Sequence, residues 1–153
     1  MKQSAGLLLF KRVGVSIVVF LVHPGGPYWK NKDLGSWSIP KGEFTDNEDP
    51  LDAAKREFRE ETGSSVDGDF IALTPVKLRS GKQVFAWAVE MDMNADRIIS
   101  NTFEIEWPPK SGQLKSFPEI DKAEWFSTDD AFLKINSGQT PFISELLTKL
   151  KLA

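Results

Sequence analysis

This sequence predicts an α/β fold in which a mixed β-sheet is covered by helices on both faces. Three observations carry that expectation. Apolar stretches of strand length, bounded by Gly, Pro and polar residues, recur along most of the chain. One internal segment, residues 49–63, has the start and stop signals of a helix around an apolar stripe. A further apolar repeat at helical spacing closes the chain. With 153 residues and 41% hydrophobic content, a single domain over residues 1–153 is expected. No internal repeat, low-complexity segment or linker divides it.

Taken in order, residues 4–10 read as a buried strand and residues 13–22 as a second, with turn chemistry around Gly14. Residues 23–40 are dense in Gly, Pro and aromatics and read as a loop holding a short strand at 36–39. Loops of that length in compact domains are often functional. After the internal helix, residues 69–74 read as a strand and 77–82 as a turn centred on Ser80-Gly81. Residues 83–92 form a long strand in which Phe85, Trp87, Val89 and Met91 alternate with Val84, Ala86 and Ala88, so both its faces are expected to be buried. Residues 94–101 connect to a strand at 102–107, which Pro108-Pro109 ends. A polar loop is expected at 110–117 and a strand at 119–126. Ser127 or Thr128 caps a helix running to about Ile135. Thr140 caps another, with Pro141 at its first position and Phe142, Ile143, Leu146, Leu147 and Leu150 as the packing face.

Composition narrows the functions available. The formal net charge is −3 and the sequence has no basic run, so long nucleic acid is not an expected partner. The absence of Cys excludes disulfides, Cys-ligated zinc and thiol catalysis. A single histidine, His23, rules out a multi-His metal site, and it is expected to be a loop hydrogen-bonder rather than a catalyst. The first apolar stretch is too short to span a membrane and no small-residue cleavage site follows it, so no membrane partner and a cytoplasmic setting are expected. Nothing in the sequence sets an oligomeric state.

The chemistry concentrates in residues 42–64, GEFTDNEDPLDAAKREFREETGS. Asp49 fits the N-cap, Pro50 the first helical position and Gly63 the position just past the end. At about 100° per residue, Glu57, Glu60 and Glu61 share one arc, Leu51, Ala54 and Phe58 the next, and Asp52, Lys55 and Arg59 point away. Like charges at these spacings repel. A solvated acidic face is one explanation, but this face borders the apolar stripe and adjoins a Gly/Pro-rich loop. Carboxylates so grouped suit a hard divalent cation held against phosphate oxygens.

This stretch resembles the Nudix box, G-x5-E-x7-R-E-U-x-E-E-x-G-U, where U is apolar. Gly42, Glu48, Arg56, Glu57, Glu60, Glu61 and Gly63 occupy the fixed positions and Phe58 the inner apolar one, while Ser64 departs from the final apolar position. The chain is therefore identified as a member of the Nudix (MutT-like) hydrolases, of NTP-pyrophosphohydrolase type. The resemblance implies an α/β/α sandwich, Mg²⁺ as cofactor with Mn²⁺ able to substitute, and a small-molecule nucleotide substrate split at a diphosphate linkage. It assigns metal ligation to Gly42 (through its carbonyl), Glu57, Glu60 and Glu61. It makes Glu60 a ligand or the general base, and gives Arg56 and Glu48 an orienting ion pair.

Candidate substrate contacts lie outside the box. Lys41, in the run Pro40-Lys41-Gly42, either reaches a phosphate oxygen or stays solvated. Tyr28, Trp29 and Trp37 either stack on a nucleobase or pack their loop. Glu104 and Glu106 share a strand face, and Glu106 is the candidate for a further acidic group at the site, against the plainer reading of a solvated face. Two alternatives accompany the hydrolase reading: a non-catalytic Nudix-fold nucleotide-binding module, and an RNA 5′-end pyrophosphohydrolase. The related isomerase branch acting on isopentenyl diphosphate relies on a catalytic Cys, which this chain lacks.

Overall fold

The computed structural model describes residues 2–152. The expected domain span 1–153 therefore extends one residue beyond the described residues at each end. Its elements are β1 (Gln3–Val13), β2 (Ser16–Pro24), β3 (Lys41–Glu43), α1 (Pro50–Thr62), β4 (Ile71–Lys77), β5 (Gln83–Glu90), β6 (Thr102–Glu106), β7 (Leu114–Pro118), β8 (Ile120–Ser127), α2 (Thr128–Lys134) and α3 (Thr140–Lys149).

The main sheet has the order β4-β5-β1-β2-β8, with β3 also paired to β1. β1 and β5 run parallel and the other pairs are antiparallel, so the sheet is mixed as expected. The apolar run of β1 explains why both faces are covered, because successive side chains of a strand point to opposite sides. Ala5, Leu7 and Leu9 pack with Ala53, Ala54 and Phe58 of α1. Leu8 and Phe10 pack on the other face with Phe142, Ile143 and Leu146 of α3. Helices on opposite faces make the α/β/α sandwich.

Several boundaries differ from the sequence expectation, each for a local reason. The turn after β1 is tight, with Gly14 at a φ of 61° and Val13 paired to Ser16, so β2 starts at Ser16 rather than Val13. Residues 36–39 are not a strand: Ser38 and Trp37 make only isolated bridges, to Val22 and Ile135. β4 runs past Pro75 to Lys77 because a register irregularity between Leu73 and Val76 accommodates the proline. The expected loop at 110–117 contains β7, which pairs with β6 in a separate hairpin from Glu106↔Leu114 to Thr102↔Pro118. Most of its residues are exposed, so alternating hydrophobicity could not reveal it. Thr140 is the first residue of α3 rather than its cap, and its hydroxyl donates to the Ser137 carbonyl.

Phe58 is fully buried between α1 and the sheet, with its ring centroid 6.3 Å from that of Phe20. Phe58→Ala is expected to cost about 3–5 kcal/mol of unfolding free energy. Urea denaturation of the two proteins checks this.

Candidate active site

Helix α1 starts where Asp49 accepts the backbone N–H groups of Leu51 and Asp52, both at 3.1 Å. It stops at Gly63, whose φ of 78° is left-handed and whose N–H donates to the Arg59 carbonyl at 2.8 Å. With Ala54 and Phe58 laid on the sheet, the adjoining arc of the helix is driven against β3. Glu57 and Glu61 consequently lie inside, only 8% and 6% exposed. Lys41, on β3, lies close enough to Glu61 to oppose the effect of burial on its carboxyl. The Glu57 carboxylate lies directly over Gly42, where a Cβ would overlap it.

Arg56 holds this acidic flank together. Its Nε and Nη2 donate to the two oxygens of Glu48 at 2.8 and 2.9 Å, so the ion pair implied by the resemblance is present and is bidentate. Its Nη1 donates to Glu57 at 2.8 Å and to Glu60 at 3.2 Å. The Glu48 contact is the main cause that raises the Arg56 pKa and lowers that of Glu48.

The deeper carboxyls are shifted the other way. Burial pushes Glu61 well above its ordinary range, Glu57 and Glu119 add to the push, and Lys41 opposes it. Burial likewise raises Glu57 despite Arg56, with Glu60 and Glu119 contributing. Burial and then Glu60 raise Glu119.

Glu119, an acidic residue to which the sequence assigned no role, also stands at this flank. The segment after α1 turns back, with Ile99 and Asn101 donating their N–H groups to the carbonyls of Thr62 and Glu60 at 2.8 and 2.9 Å. Glu119 then donates its own N–H to the Asn101 carbonyl at 2.8 Å, which sets it beside the end of the helix. Glu106 lies elsewhere. Its carboxylate accepts the N–H groups of Lys110 and Gly112 at 2.8 and 3.2 Å, so it ties the β6–β7 loop instead of joining the acidic flank. Glu104 is exposed opposite Ser116.

A cavity of about 310 Å³ opens beside these groups, with Lys41, Glu61, Glu119, Trp29 and Gln139 in its wall. Burial and the neighbouring Lys82 lower the pKa of Lys41, opposed by Glu61, Glu43 and Glu57. Gln139, also unanticipated, is buried. It accepts the Ile39 N–H at 3.1 Å and donates to the Ser38 hydroxyl at 3.0 Å, fixing the chain ahead of Lys41.

The aromatics divide by burial. Trp37 is 1% exposed, donates its Nε1–H to Asp33 at 2.8 Å and meets Phe126 edge-on at 4.9 Å, so it packs the loop. Trp29 stands at the cavity, with the Lys32 ammonium 5.0 Å from its ring centroid. Tyr28 is exposed and meets Trp107 edge-on at 5.3 Å. His23 is buried and bridges the loop to β8. Its Nε2 donates to the Lys32 carbonyl at 2.7 Å, and its Nδ1 lies 2.8 Å from Asp121.

Residues 2–146 match the family model described as NUDIX domain. This chain belongs to the Nudix family. An RNA pyrophosphohydrolase of Erythrobacter litoralis is 35% identical to this Nudix chain over 79 residues, covering 51% of this chain and 44% of that protein. One of Bartonella henselae is 36% identical over 66 residues, covering 40% of this chain and 35% of that protein. The matched segments take in less than half the length of these curated relatives. A C. elegans Ap4A hydrolase structure superposes with a TM-score of 0.67 at 19% identity, covering 99% of this chain and 98% of its own. The NUDIX domain of Shewanella oneidensis NrtR, complexed with ADP ribose, does so at 0.63 and 16% identity, covering 97% and 87%. At such identities the likeness establishes a shared Nudix fold.

The donor set fits the divalent cation on which Nudix enzymes generally depend. All the candidate side-chain ligands are carboxylates, the hard oxygen donors such ions take. Their crowding in a desolvated site leaves negative charge that a cation relieves. Among the described residues, no group of three His, Asp or Glu side chains already stands in ion-holding geometry. Here Arg56 engages Glu57 and Glu60 instead.

The raised carboxyls make stability depend on pH. A carboxyl whose folded pKa exceeds its unfolded value binds more protons when folded, so stability declines as pH climbs above about 4.5. Glu48 and Glu43, held below their ordinary values, act with the opposite sign and chiefly below that window. Metal-free protein is therefore expected to melt at progressively lower temperature as pH rises from about 4.5. Glu61→Gln should flatten that trend and raise Tm at neutral pH. Thermal melts in EDTA across the range check both.

Proposed function

We propose that the chain is a divalent-metal-dependent pyrophosphohydrolase. It cleaves a diphosphate linkage in a nucleoside diphosphate joined to another group, such as an NTP, a dNTP or a dinucleoside polyphosphate, and releases two phosphorylated products. One observation carries this reading: buried, mutually repelling carboxyls stand beside the Lys41 side chain at the wall of a nucleotide-sized cavity.

Gly42, Glu57, Glu60 and Glu61 would hold Mg²⁺, with Mn²⁺ as a substitute. A bound divalent ion supplies charge neutralisation at the phosphate oxygens and lowers the pKa of water. Arg56, anchored by Glu48, orients the Glu57 and Glu60 carboxylates that would hold the ion. Glu60, the less buried of the acidic trio, accepts the proton of the attacking water. Lys41 contacts a phosphate oxygen, where desolvation strengthens its attraction. Trp29 and Tyr28 form the aromatic rim on which a base stacks. A nucleotide substrate fits the cytoplasmic setting suggested by the sequence, and residues 1–153 act in this reading as one domain.

A second substrate reading, the 5′ phosphate chain of RNA, is favoured by the two RNA pyrophosphohydrolase relatives. A purely binding module is disfavoured because every charged box residue is present.

Wild type and Glu60→Gln can be compared on Mg²⁺-dependent hydrolysis of nucleoside triphosphates, dinucleoside polyphosphates, ADP-ribose, nucleotide sugars, a diphosphoinositol phosphate and 5′-triphosphorylated RNA. Turnover of one class, reduced about 10²-fold or more in the variant, is expected. Silence across the panel with tight binding by both proteins would favour the binding module. On the substrate so found, Trp29→Ala is expected to raise KM about tenfold with little change in kcat, as loss of one stacking interaction predicts. An unchanged KM returns Trp29 to loop packing.

A further inference from the structure

The sequence has no unbroken basic run, but Lys77, Arg79 and Lys82 fall within six residues at the β4–β5 turn, and the sheet brings Lys2 beside them. Leu78 packs into the core on the α3 side of the sheet, which leaves its neighbours Lys77 and Arg79 exposed on either side of it. The turn is closed by the Leu78 N–H donating to the Lys82 carbonyl at 2.8 Å and the Gly81 N–H to the Leu78 carbonyl at 2.9 Å. Gly81 has a φ of 91°, which few other residues adopt. Lys2 and Lys82 flank a shallow depression with Ser80 on the same turn.

Two features connect this turn to the site. Leu78 and Asn136 line both the catalytic-side cavity and a second depression walled by Lys77 and Arg79, so the two are neighbours across these residues. The sheet register sets the separation. Lys41 pairs with Gly6, and Gln83, next to Lys82, pairs with Gln3 on the same strand. Three strand residues are about 10 Å along β1, and β3 and β5 flank β1 on opposite sides, about 10 Å apart across the sheet, so the two backbone positions are about 14 Å apart. The ridge is also short of counter-charge. Lys82 is paired with Glu43 at 3.1 Å, whereas among the described residues Lys2, Lys77 and Arg79 have no acidic partner within ion-pair distance.

We propose that Lys77 and Arg79, with Lys2 beside them, bind the phosphate backbone of a single-stranded nucleic acid whose 5′ phosphates enter the cavity at Lys41. This inference rests on the hydrolase reading for the role of the cavity and selects a polynucleotide over a free nucleotide within it. Each contact is electrostatic, so it adds affinity without sequence preference and weakens with salt.

The test uses a fluorescent 5′-monophosphorylated RNA octamer, which has no diphosphate bond to cleave, and measures its anisotropy with wild type, K77A/R79A and K110A/K115A across a salt series. Lys110 and Lys115 belong to the β6–β7 hairpin and serve as a charge-matched control. K77A/R79A is expected to weaken binding about tenfold and to reduce the slope of log K against log salt by about 1.4, which is about 0.7 for each cation removed. K77R/R79K should retain the affinity, and K110A/K115A should behave as wild type. The proposal is overturned if K77A/R79A binds like wild type, if both double variants weaken equally, or if inorganic polyphosphate of matched charge competes as well as unlabelled octamer. Turnover is measured separately with GTP and with 5′-triphosphorylated octamer. Ridge-dependent binding without any hydrolysis keeps the inference and removes the hydrolase reading. Hydrolysis with no ridge dependence does the reverse.

Discussion

The site depends on charge forced out of water. Helix α1 buries Ala54 and Phe58 to satisfy the sheet, and geometry then carries Glu57 and Glu61 into the same desolvated seam. Ionised carboxyls in that setting repel one another and lack hydration. Arg56 offsets part of the cost by donating to Glu48, Glu57 and Glu60 together, and Lys41 offsets part from the β3 side. What remains is an acidic pocket of carboxylates, the hard donors that divalent ions take. In the proposed reading, a divalent ion bound there would recover part of that cost.

The surrounding architecture serves that seam. β1 fixes β3 on one side of the site and β5 on the other, so α1 and the β4–β5 turn are referred to one strand. Gln139, at the start of α3 on the opposite face, reaches through to Ile39 and Ser38 and holds the approach to Lys41. The two layers of helices are thereby coupled at a single stretch, residues 38–43.

Much of this could be read before the structure. Asp49, Pro50 and Gly63 bound the helix because capping chemistry is local, and the arc shared by Glu57, Glu60 and Glu61 follows from helical periodicity alone. The apolar run of β1 pointed correctly to a buried strand over residues 4–10. What stayed hidden depends on long-range pairing. β7 is recognisable only by its partner β6, because its exposed residues carry no pattern of burial. Glu119 and Gln139 look like ordinary polar residues until the chain returns them to the cavity. Glu106 is instead the acidic residue that the strand pattern singles out, and only the fold of its hairpin shows its carboxylate engaged with Lys110 and Gly112. The basic turn was invisible for a related reason. Its cations are interrupted by Leu78, Ser80 and Gly81 in sequence and gain Lys2 only through the sheet.

Gly42 has a consequence for how the chain finds its register. β3 is only three residues long, and strands that short are weakly held by their own ladder. In the native pairing Gly42 faces Ala5 and leaves room for the Glu57 carboxylate. A slip of one residue would bring the side chain of Lys41 or Glu43 to that place and collide with the carboxylate. The missing side chain therefore acts as a steric key: helix and edge strand dock only in the alignment that presents the Gly42 backbone to the acidic groups, and misaligned pairings are rejected as the two elements meet.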